Sequence, residues 1–295
     1  MSQAQSQPSP AAPAIDDVRA DDVHSLLAAL PERIDAIPRR IAARSPHAPA
    51  LCEAGATVDY GGLVAMIDRH AFLLTELGVR PGDRVLLVSE NCVAQVALIF
   101  AASTVGAWIV NVNPRLSAPE LDAIRSHSGA RRALYTAAIS LEAAAHAARD
   151  GALACGSDDG DGGLMAGPLN ADCAPEAPGA QPVAALIYTT GTTGQPKGVM
   201  LSHRNLLFVA AVSSRLRGLT PRDRAWGMLP ISHVYGLTSV MLGTLCAGAC
   251  LQLAPRFTPQ AMLAAIRDDG LTIVQGVPAM YARLLELAGA GAPIA

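Results

Sequence analysis

Residues 189–198 read TTGTTGQPKG and directly follow an apolar run, VAALIY, at residues 183–188. The three glycines can adopt positive φ and let backbone N–H groups approach an anion closely. The threonine hydroxyls add further donors, and Lys197 supplies a mobile positive charge beside Pro196, which stiffens the turn. We therefore predict that this stretch is a loop that grips phosphate groups.

Two other interpretations of this stretch can be compared. A Walker A motif, GxxxxGK[ST] counted from Gly191, would need glycine at position 196, where the sequence has Pro196. A GTPase-like loop is therefore excluded. An ordinary Thr/Gly turn between a strand and a helix stays open, because a single glycine-rich loop has low specificity. The order of strand, loop, Lys197, residues 199–201 and a helix from His203 favours the phosphate loop.

Short apolar runs alternate with longer helical patterns from Leu51 onward. A strand at residues 84–89, for example, precedes a helix at residues 92–105. This alternation predicts an α/β fold with a doubly wound, parallel sheet and helices on both of its faces. We divide the chain into a first α/β subdomain at residues 21–150 and a second, incomplete one at residues 182–295.

Two stretches have the composition of poorly packed chain. Residues 151–181 are rich in Gly, Asp, Pro and Ala and include GSDDGDGG at residues 156–163, which predicts a linker with little packed structure. Residues 1–20 lack the basic region and the apolar core of a signal peptide, so we predict a disordered tail and no export.

Charge and cysteine content argue against several functions. The 22 basic and 25 acidic residues give a net charge of −3, and no basic cluster exceeds a pair, so we expect no nucleic-acid partner. Six cysteines without CxxC or Cys/His ligand spacing predict reduced thiols, no metal site and a cytoplasmic protein. Uncharged runs at residues 93–110 and 234–255 are long enough to weigh as membrane spans. Glycines divide both runs, so buried helices and strands explain them more simply.

Four motifs in order along the chain carry a resemblance to a known family. VAALIYTTGTTGQPKGVMLSHRNL lies at residues 183–206, NVNPRLSAPEL at 111–121, LPISHVYGL at 229–237 and VQGVPAMYARLL at 274–285. Together they resemble successive landmarks of the acyl-adenylate-forming superfamily, which includes the AMP-forming acyl-CoA ligases. One such motif alone would be weak support, and the order of all four is what identifies the resemblance.

The resemblance implies a two-step reaction with ATP, a carboxylate and coenzyme A. ATP first activates the carboxylate as an acyl-adenylate with release of pyrophosphate, and the thiol of coenzyme A then captures the acyl group. Fixed donors, Lys197 and Mg²⁺ must spread the negative charge that develops. The residues that match the family's phosphate contacts are Thr189, Thr190, Gly191, Thr192, Thr193, Gly194 and Lys197.

A histidine motif, Pro230-x-x-His233-x-x-Gly236, matches the family segment where acyl group and adenylate meet. The resemblance implies that His233 positions the reacting groups, and it places Tyr235 and Gly236 with it in a substrate pocket. A lone histidine near apolar residues is more often a hydrogen-bonded core or loop residue, and that alternative stays open. Residues 235–239, YGLTS, imitate the family's aromatic-Gly-x-Thr-Glu motif, but serine replaces the acid, so we interpret them as a helix start.

The resemblance covers nearly all of this chain but only about the first half of a family member. It implies an N-terminal domain of two stacked doubly wound sheet subdomains, truncated, with the C-terminal domain absent. No Mg²⁺ ligand is identified in this chain. We expect an acyl-CoA ligase of the fatty or another hydrophobic carboxylate branch whose isolated chain is inactive. The alternative is a noncatalytic, truncated or split module that needs a separately encoded second half.

Overall fold

The chain forms two β-sheets with helices between and around them in a computed structural model, which describes residues 20–156, 161–173, 175, 182–190 and 196–289. The helices are α1 (Ala20–Ala29), α2 (Ala36–Ala42), α3 (Tyr60–Glu76), α4 (Val93–Val105), α5 (Ala118–Ser128), α6 (Leu141–Arg149), α7 (His203–Leu216), α8 (Gly243–Cys246), α9 (Pro259–Asp268) and α10 (Pro278–Gly289), with a π-helix at Gly236–Leu242. The strands are β1 (Pro49–Glu53), β2 (Ala56–Asp59), β3 (Arg84–Val88), β4 (Trp108–Val112), β5 (Arg132–Thr136), β6 (Leu153–Ala154), β7 (Leu164–Ala166), β8 (Val183–Thr190), β9 (Pro196–Ser202), β10 (Arg224–Gly227) and β11 (Cys250–Leu253).

The larger sheet has seven strands in the order β6-β7-β5-β3-β4-β8-β9. Its central strands, β5, β3, β4 and β8, are parallel neighbours. Every residue of β3 is buried, because apolar clusters cover both faces of the sheet. The predicted α/β class is confirmed. The outer strands differ from the prediction, since β9 pairs with β8, β7 with β5 and β6 with β7 in antiparallel fashion.

The smaller sheet has four strands in the order β10-β11-β1-β2. β1, β11 and β10 are parallel, with Leu51 beside Leu251, and β2 returns antiparallel to β1. Each sheet therefore takes strands from both sides of residues 151–181. The two sheets therefore do not correspond to two successive segments of the chain. The division into subdomains at residues 21–150 and 182–295 stays a prediction.

The described parts of the stretch at residues 151–181, namely 151–156, 161–173 and 175, contain more regular structure than the composition predicts. They contribute β6 and β7, and Leu164 and Ala166 of β7 are buried. The Nε2 atom of His70 on α3 lies 2.9 Å from Oδ1 of Asp161, and both side chains are buried. These strands are too short to produce a periodic pattern. β7 forms through pairing with β5, and β6 forms through pairing with β7. Residues 1–19, 157–160, 174 and 176–181 lie outside the described part of the chain.

The apolar run at residues 93–110 divides into α4 and β4, as its glycine predicts. Gly106 ends α4 with a left-handed φ of 79°. All residues from Val93 to Ser103 are buried, and α4 packs against strands of both sheets. An all-round apolar helix of this kind belongs to a protein interior. Within the described residues, no helix combines the length and the apolar character that a membrane crossing requires.

His203, the first residue of α7, is buried against the N-terminal segment. Its Nδ1 accepts a hydrogen bond from the backbone N–H of Ile34 at 3.3 Å. Burial lowers the pKa of His203 to about 4, and the nearby Arg33 adds to this effect while Asp35 opposes it. The folded protein therefore holds the neutral imidazole with Nδ1 as an acceptor.

We expect protonation of His203 to destabilise the fold. Between pH 6.5, the ordinary pKa, and about 4, the unfolded chain binds a proton here that the folded chain does not. This group should therefore lower the free energy of unfolding by up to about 1.4 kcal/mol per pH unit as the pH falls through that window. Urea unfolding at pH 7.5, 6 and 5 measures the slope.

The variant His203→Asn keeps an acceptor for Ile34 and should show a shallower loss of stability below pH 6.5. His47→Gln, at an exposed ring, is the control and should follow the wild type. Equal pH slopes for the wild type and His203→Asn would contradict this account.

Candidate functional site

The predicted phosphate loop connects two antiparallel strands. β8 and β9 pair along their lengths, with Thr189 beside Lys197 and Thr190 beside Pro196. The prediction of a strand, a loop and then a short run into a helix is therefore corrected to a β-hairpin followed by α7. A connection of five residues suits an antiparallel pair, whereas parallel strands need a much longer crossover. Gly191, Thr192, Thr193 and Gly194 lie outside the described residues, as does the side chain of Thr190.

Lys197 lies on β9 at the loop end of this hairpin. Its side chain is exposed and makes no hydrogen bond or ion pair within the described residues. Thr189, opposite it, is exposed as well. Lys197 is also the only lysine among the 295 residues, so 21 of the 22 basic side chains are arginines. The hairpin thus presents one uncommitted ammonium group next to the predicted phosphate loop.

Gly198 has a different role from the one that its place in the motif predicts. It is absent from the described residues with positive φ, and it lies opposite Tyr188. A Cβ at position 198 would stand 3.1 Å from the Tyr188 ring. The Tyr188 hydroxyl in turn lies 2.8 Å from Nδ1 of His127 on α5, and burial raises the pKa of Tyr188. Glycine at position 198 therefore leaves room for Tyr188, whose hydroxyl links the hairpin to α5 through His127.

Ser202 ends β9 and caps α7. Its hydroxyl accepts a hydrogen bond from the backbone N–H of Asn205 at 3.1 Å, and the Asn205 side chain accepts one from the backbone N–H of Ser202 at 3.2 Å. This reciprocal pair is a capping box. The Ser202 hydroxyl therefore caps the N-terminus of α7 and sets the residue at which the hairpin ends.

The histidine motif forms a turn that follows β10. The backbone N–H of His233 donates to the carbonyl of Pro230 at 3.0 Å, and the side chains of His233 and Tyr235 are exposed. A Cβ at Gly236 would lie 2.1 Å from the carbonyl oxygen of Pro230, so only glycine fits. The π-helix begins at Gly236, in agreement with the predicted helix start at residues 235–239. Such π-turns occur often at functional sites.

A buried side chain that the sequence motifs do not include supports this turn. Asn91 follows β3, and its amide group bonds to the backbone of residues 227–231. Its neighbour Glu90 is also buried and accepts a hydrogen bond from Arg256 at 3.0 Å. The available sequence signal was weak, namely polar residues directly after an apolar strand, where α/β proteins place ligand sites.

The loop end of the hairpin and the histidine turn both lie at the carboxyl ends of parallel strands. β8 runs parallel to β4, and β4 runs parallel to β3, so the carboxyl ends of these three strands lie on the same side of the sheet. Asn91, at the carboxyl end of β3, contacts the segment that follows β10. Lys197 and His233 make no hydrogen bond with each other within the described residues. The roles that the resemblance implies for the site residues stay predictions.

No metal centre is evident in the described part of the chain, where no group of three or more His, Cys, Asp or Glu side chains could hold an ion.

A cavity of about 260 Å³ lies near the start of β5 and is lined in part by Arg125, Asp150 and Asn170. This cavity contains none of the predicted site residues, so we place the candidate site at the carboxyl ends of the strands.

Comparison with known proteins gives matches over most of the chain. Residues 38–293 match the AMP-binding enzyme family. A feruloyl-CoA synthase of Amycolatopsis sp is 38% identical over 250 residues, which are 83% of this chain and 48% of the relative. A long-chain-fatty-acid–CoA ligase of Mycobacterium tuberculosis is 32% identical over 247 residues, 82% of this chain and 49% of the relative. ATP-bound MatB from Rhodopseudomonas palustris matches with a TM-score of 0.67 at 29% identity, over 86% of this chain and 51% of that chain. The chain thus spans about half the length of the curated relatives it matches.

Replacement of Gly236 by alanine should destabilise the protein. The added methyl would overlap the carbonyl of Pro230 and force the histidine turn away from the π-helix. We expect a loss of about 2 kcal/mol or more in the free energy of unfolding, as for severe overpacking. Gly167→Ala is the matched control, because a Cβ there has its closest contact at 3.6 Å and needs no positive φ. Thermal and urea unfolding compare the two variants, and equal stabilities would refute the contact.

Proposed function

The chain belongs to the AMP-binding enzyme family, and on that premise we propose that it forms the N-terminal part of an AMP-forming acyl-CoA ligase. The observation that supports this proposal most is the hairpin of β8 and β9, which carries the phosphate-loop sequence. At its end Lys197 is exposed and has no hydrogen-bond or ion-pair partner among the residues that the structure describes. A mobile cation beside a glycine-rich turn suits a polyphosphate, whereas a structural lysine would be expected to have a partner.

The proposed first step joins a carboxylate to ATP. A carboxylate oxygen forms a bond to the α-phosphorus while the bond from this phosphorus to the bridging oxygen of the β-phosphate breaks, and pyrophosphate leaves with the electron pair. In the second step the thiol of coenzyme A, having lost its proton, attacks the acyl carbon and releases AMP. Neither step requires a covalent enzyme intermediate, so charge stabilisation and orientation are the protein's main contributions.

We assign the phosphate contacts to Thr189, Thr190 and Lys197 together with residues 191–194 of the loop. Lys197 would stabilise the charge on the departing pyrophosphate, and backbone N–H groups of the loop would bind the phosphate oxygens. Mg²⁺, when bound, supplies further neutralisation of phosphate charge, and we assign no ligand for it in this chain. His233 would orient the acyl group against the adenylate, with Tyr235 and Gly236 beside it.

The acyl substrate that we propose is a hydrophobic carboxylate. The relatives include a feruloyl-CoA synthase and a long-chain-fatty-acid–CoA ligase, whose acyl groups are aromatic and aliphatic but both largely apolar. A cytoplasmic location fits the reduced cysteines that we predict, and none of the six cysteines forms a disulfide in the structure.

A second candidate is a module that works only with a separate second half. The region of α10 supports it, because Leu285 on this helix is 70% exposed, and Tyr281 on the helix and Val277 directly before it are also exposed. Large apolar side chains that are exposed close together in this way suit a contact with another polypeptide. We propose that such a partner would supply the groups of the reaction that this chain does not provide.

We propose that the isolated chain does not catalyse carboxylate-dependent exchange of labelled pyrophosphate into ATP, because it spans about half the length of the curated relatives it matches and the reaction needs extensive charge stabilisation. The assay compares the chain alone with the chain mixed with a polypeptide that contains the second half of a related ligase domain. Exchange that appears only in the mixture supports the split form. Robust exchange by the chain alone would refute the proposed inactivity but not the proposed reaction.

Removal of the Lys197 ammonium should weaken ATP binding. We expect Lys197→Ala to lower the affinity for ATP roughly tenfold, since one charge-assisted contact to phosphate is lost. Lys197→Arg should restore binding only in part, because a planar guanidinium replaces a compact ammonium group. Calorimetry with ATP measures this, and Arg204→Ala, which removes another exposed cation near the hairpin, is the control.

The single lysine allows an independent measurement. An ATP analogue with a pyridoxal aldehyde at its phosphate end should form an imine with Lys197, which borohydride then fixes. Peptide mass spectrometry should find the label on the Lys197 peptide, and excess ATP should prevent it. Unchanged ATP affinity in Lys197→Ala, or labelling of the α-amino group of Met1 alone, would argue against the phosphate-loop assignment.

A further inference from the structure

Both polar atoms of the Asn91 side-chain amide bond to one backbone segment, residues 227–231. Its Nδ2 donates to the carbonyl oxygens of Gly227 and Leu229, both at 2.9 Å, and its Oδ1 accepts from the backbone N–H of Ile231, also at 2.9 Å. The residue is 3% exposed. Two carbonyl acceptors fix the orientation of the amide, because only the nitrogen can donate to them.

The segment that Asn91 holds leads directly into the histidine turn. The backbone N–H of His233 donates to the carbonyl of Pro230, which lies within that segment. Gly236 packs on the same Pro230 carbonyl, with no room for a side chain. A shift of residues 227–231 would therefore move both His233 and the start of the π-helix.

The contact also joins the two sheets at their carboxyl ends. β3 belongs to the seven-stranded sheet and β10 to the four-stranded one, so they cannot share ladder hydrogen bonds. The Asn91 amide takes the place of such bonds, and the adjacent Glu90 pairs with Arg256, which follows β11. Two consecutive residues thus hold the ends of two neighbouring strands of the other sheet.

We propose that Asn91 is a positioning residue that sets His233 and Tyr235 against the acyl part of the bound substrate. This inference rests on the proposed acyl-CoA ligase function. A residue with this task acts on the acyl end of the ligand and leaves the phosphate loop, on another pair of strands, unaffected. A residue that serves stability alone would affect both ends alike.

The test compares two probes on the chain as it is. Calorimetry measures the affinities for ATP and for acyl sulfamoyl adenosines with feruloyl and lauroyl groups. Asn91→Ala should lower the affinity for the acyl sulfamoyl adenosine that binds the wild type by tenfold or more. It should change the affinity for ATP by less than about twofold, which is the size of coupling expected between distant sites. Asn91→Asp, which as a carboxylate cannot donate to the two carbonyls, should show the same pattern. Asn170→Ala removes another bond from an asparagine side chain to a backbone carbonyl and should change neither affinity.

Hydrogen exchange gives a readout that needs no ligand. Amides of residues 227–240 should exchange at least several-fold faster in both Asn91 variants, while those of β8 and β9 keep the wild-type rate. Unchanged exchange at residues 227–240, an equal loss of affinity for both probes, or failure of both variants to fold would overturn the positioning role. A wild-type chain that binds neither probe would instead refute the proposed function in this chain, and the role of Asn91 would fall with it.

Discussion

The burial of α4 between the two sheets is the constraint on which the rest of the structure depends. A helix that is apolar on every side needs cover on every side, and one sheet can cover only one face of it. The second sheet therefore has to lie across from the first. Because α4 starts directly after the turn that follows β3, Glu90 and Asn91 are brought to the point where the carboxyl ends of the two sheets meet. The geometry of the candidate site follows from where this helix is buried.

The alternation of apolar runs was enough to predict the fold class and to divide the run at residues 93–110 into a helix and a strand. The pairing of β1 with β11 could not be predicted in this way, because nothing local in either strand specifies a neighbour so far along the chain. The hairpin was missed for a related reason. Residues 196–202 read PKGVMLS, which has no regular alternation, and they become a strand through pairing with β8.

The candidate site was only partly predictable. Its loop and its histidine turn were found through resemblance, and their roles still depend on it. Asn91 could not be found, because a polar residue after a strand is common and its importance lies in three backbone partners far away in sequence. The need for glycine at position 236 is also a matter of atomic contact, since the motif gives the residue but not the reason.

Lys197 differs from the arginines of the chain in what its side chain does. Several arginines bind backbone carbonyls with their planar forks, as Arg131 does with Gly78 and Arg132 with Leu77 and Gly167. These side chains act as fixed parts of the structure. The hairpin instead carries the single lysine of the chain, whose ammonium charge is compact and which has no hydrogen-bond or ion-pair partner among the described residues. Such a group suits a site where the charge to be balanced shifts during a reaction.

The position of β1 in the four-stranded sheet also bears on how the protein is made. Leu51 lies beside Leu251, so the parallel partner of β1 emerges from the ribosome 200 residues after it. At typical rates of synthesis this delay is about 10 to 40 s. During that interval β1 has only its antiparallel neighbour β2, and its other edge stays unpaired. The four-stranded sheet is thus completed late, from a hairpin of β1 and β2 that has to stay unaggregated until β11 has been synthesised.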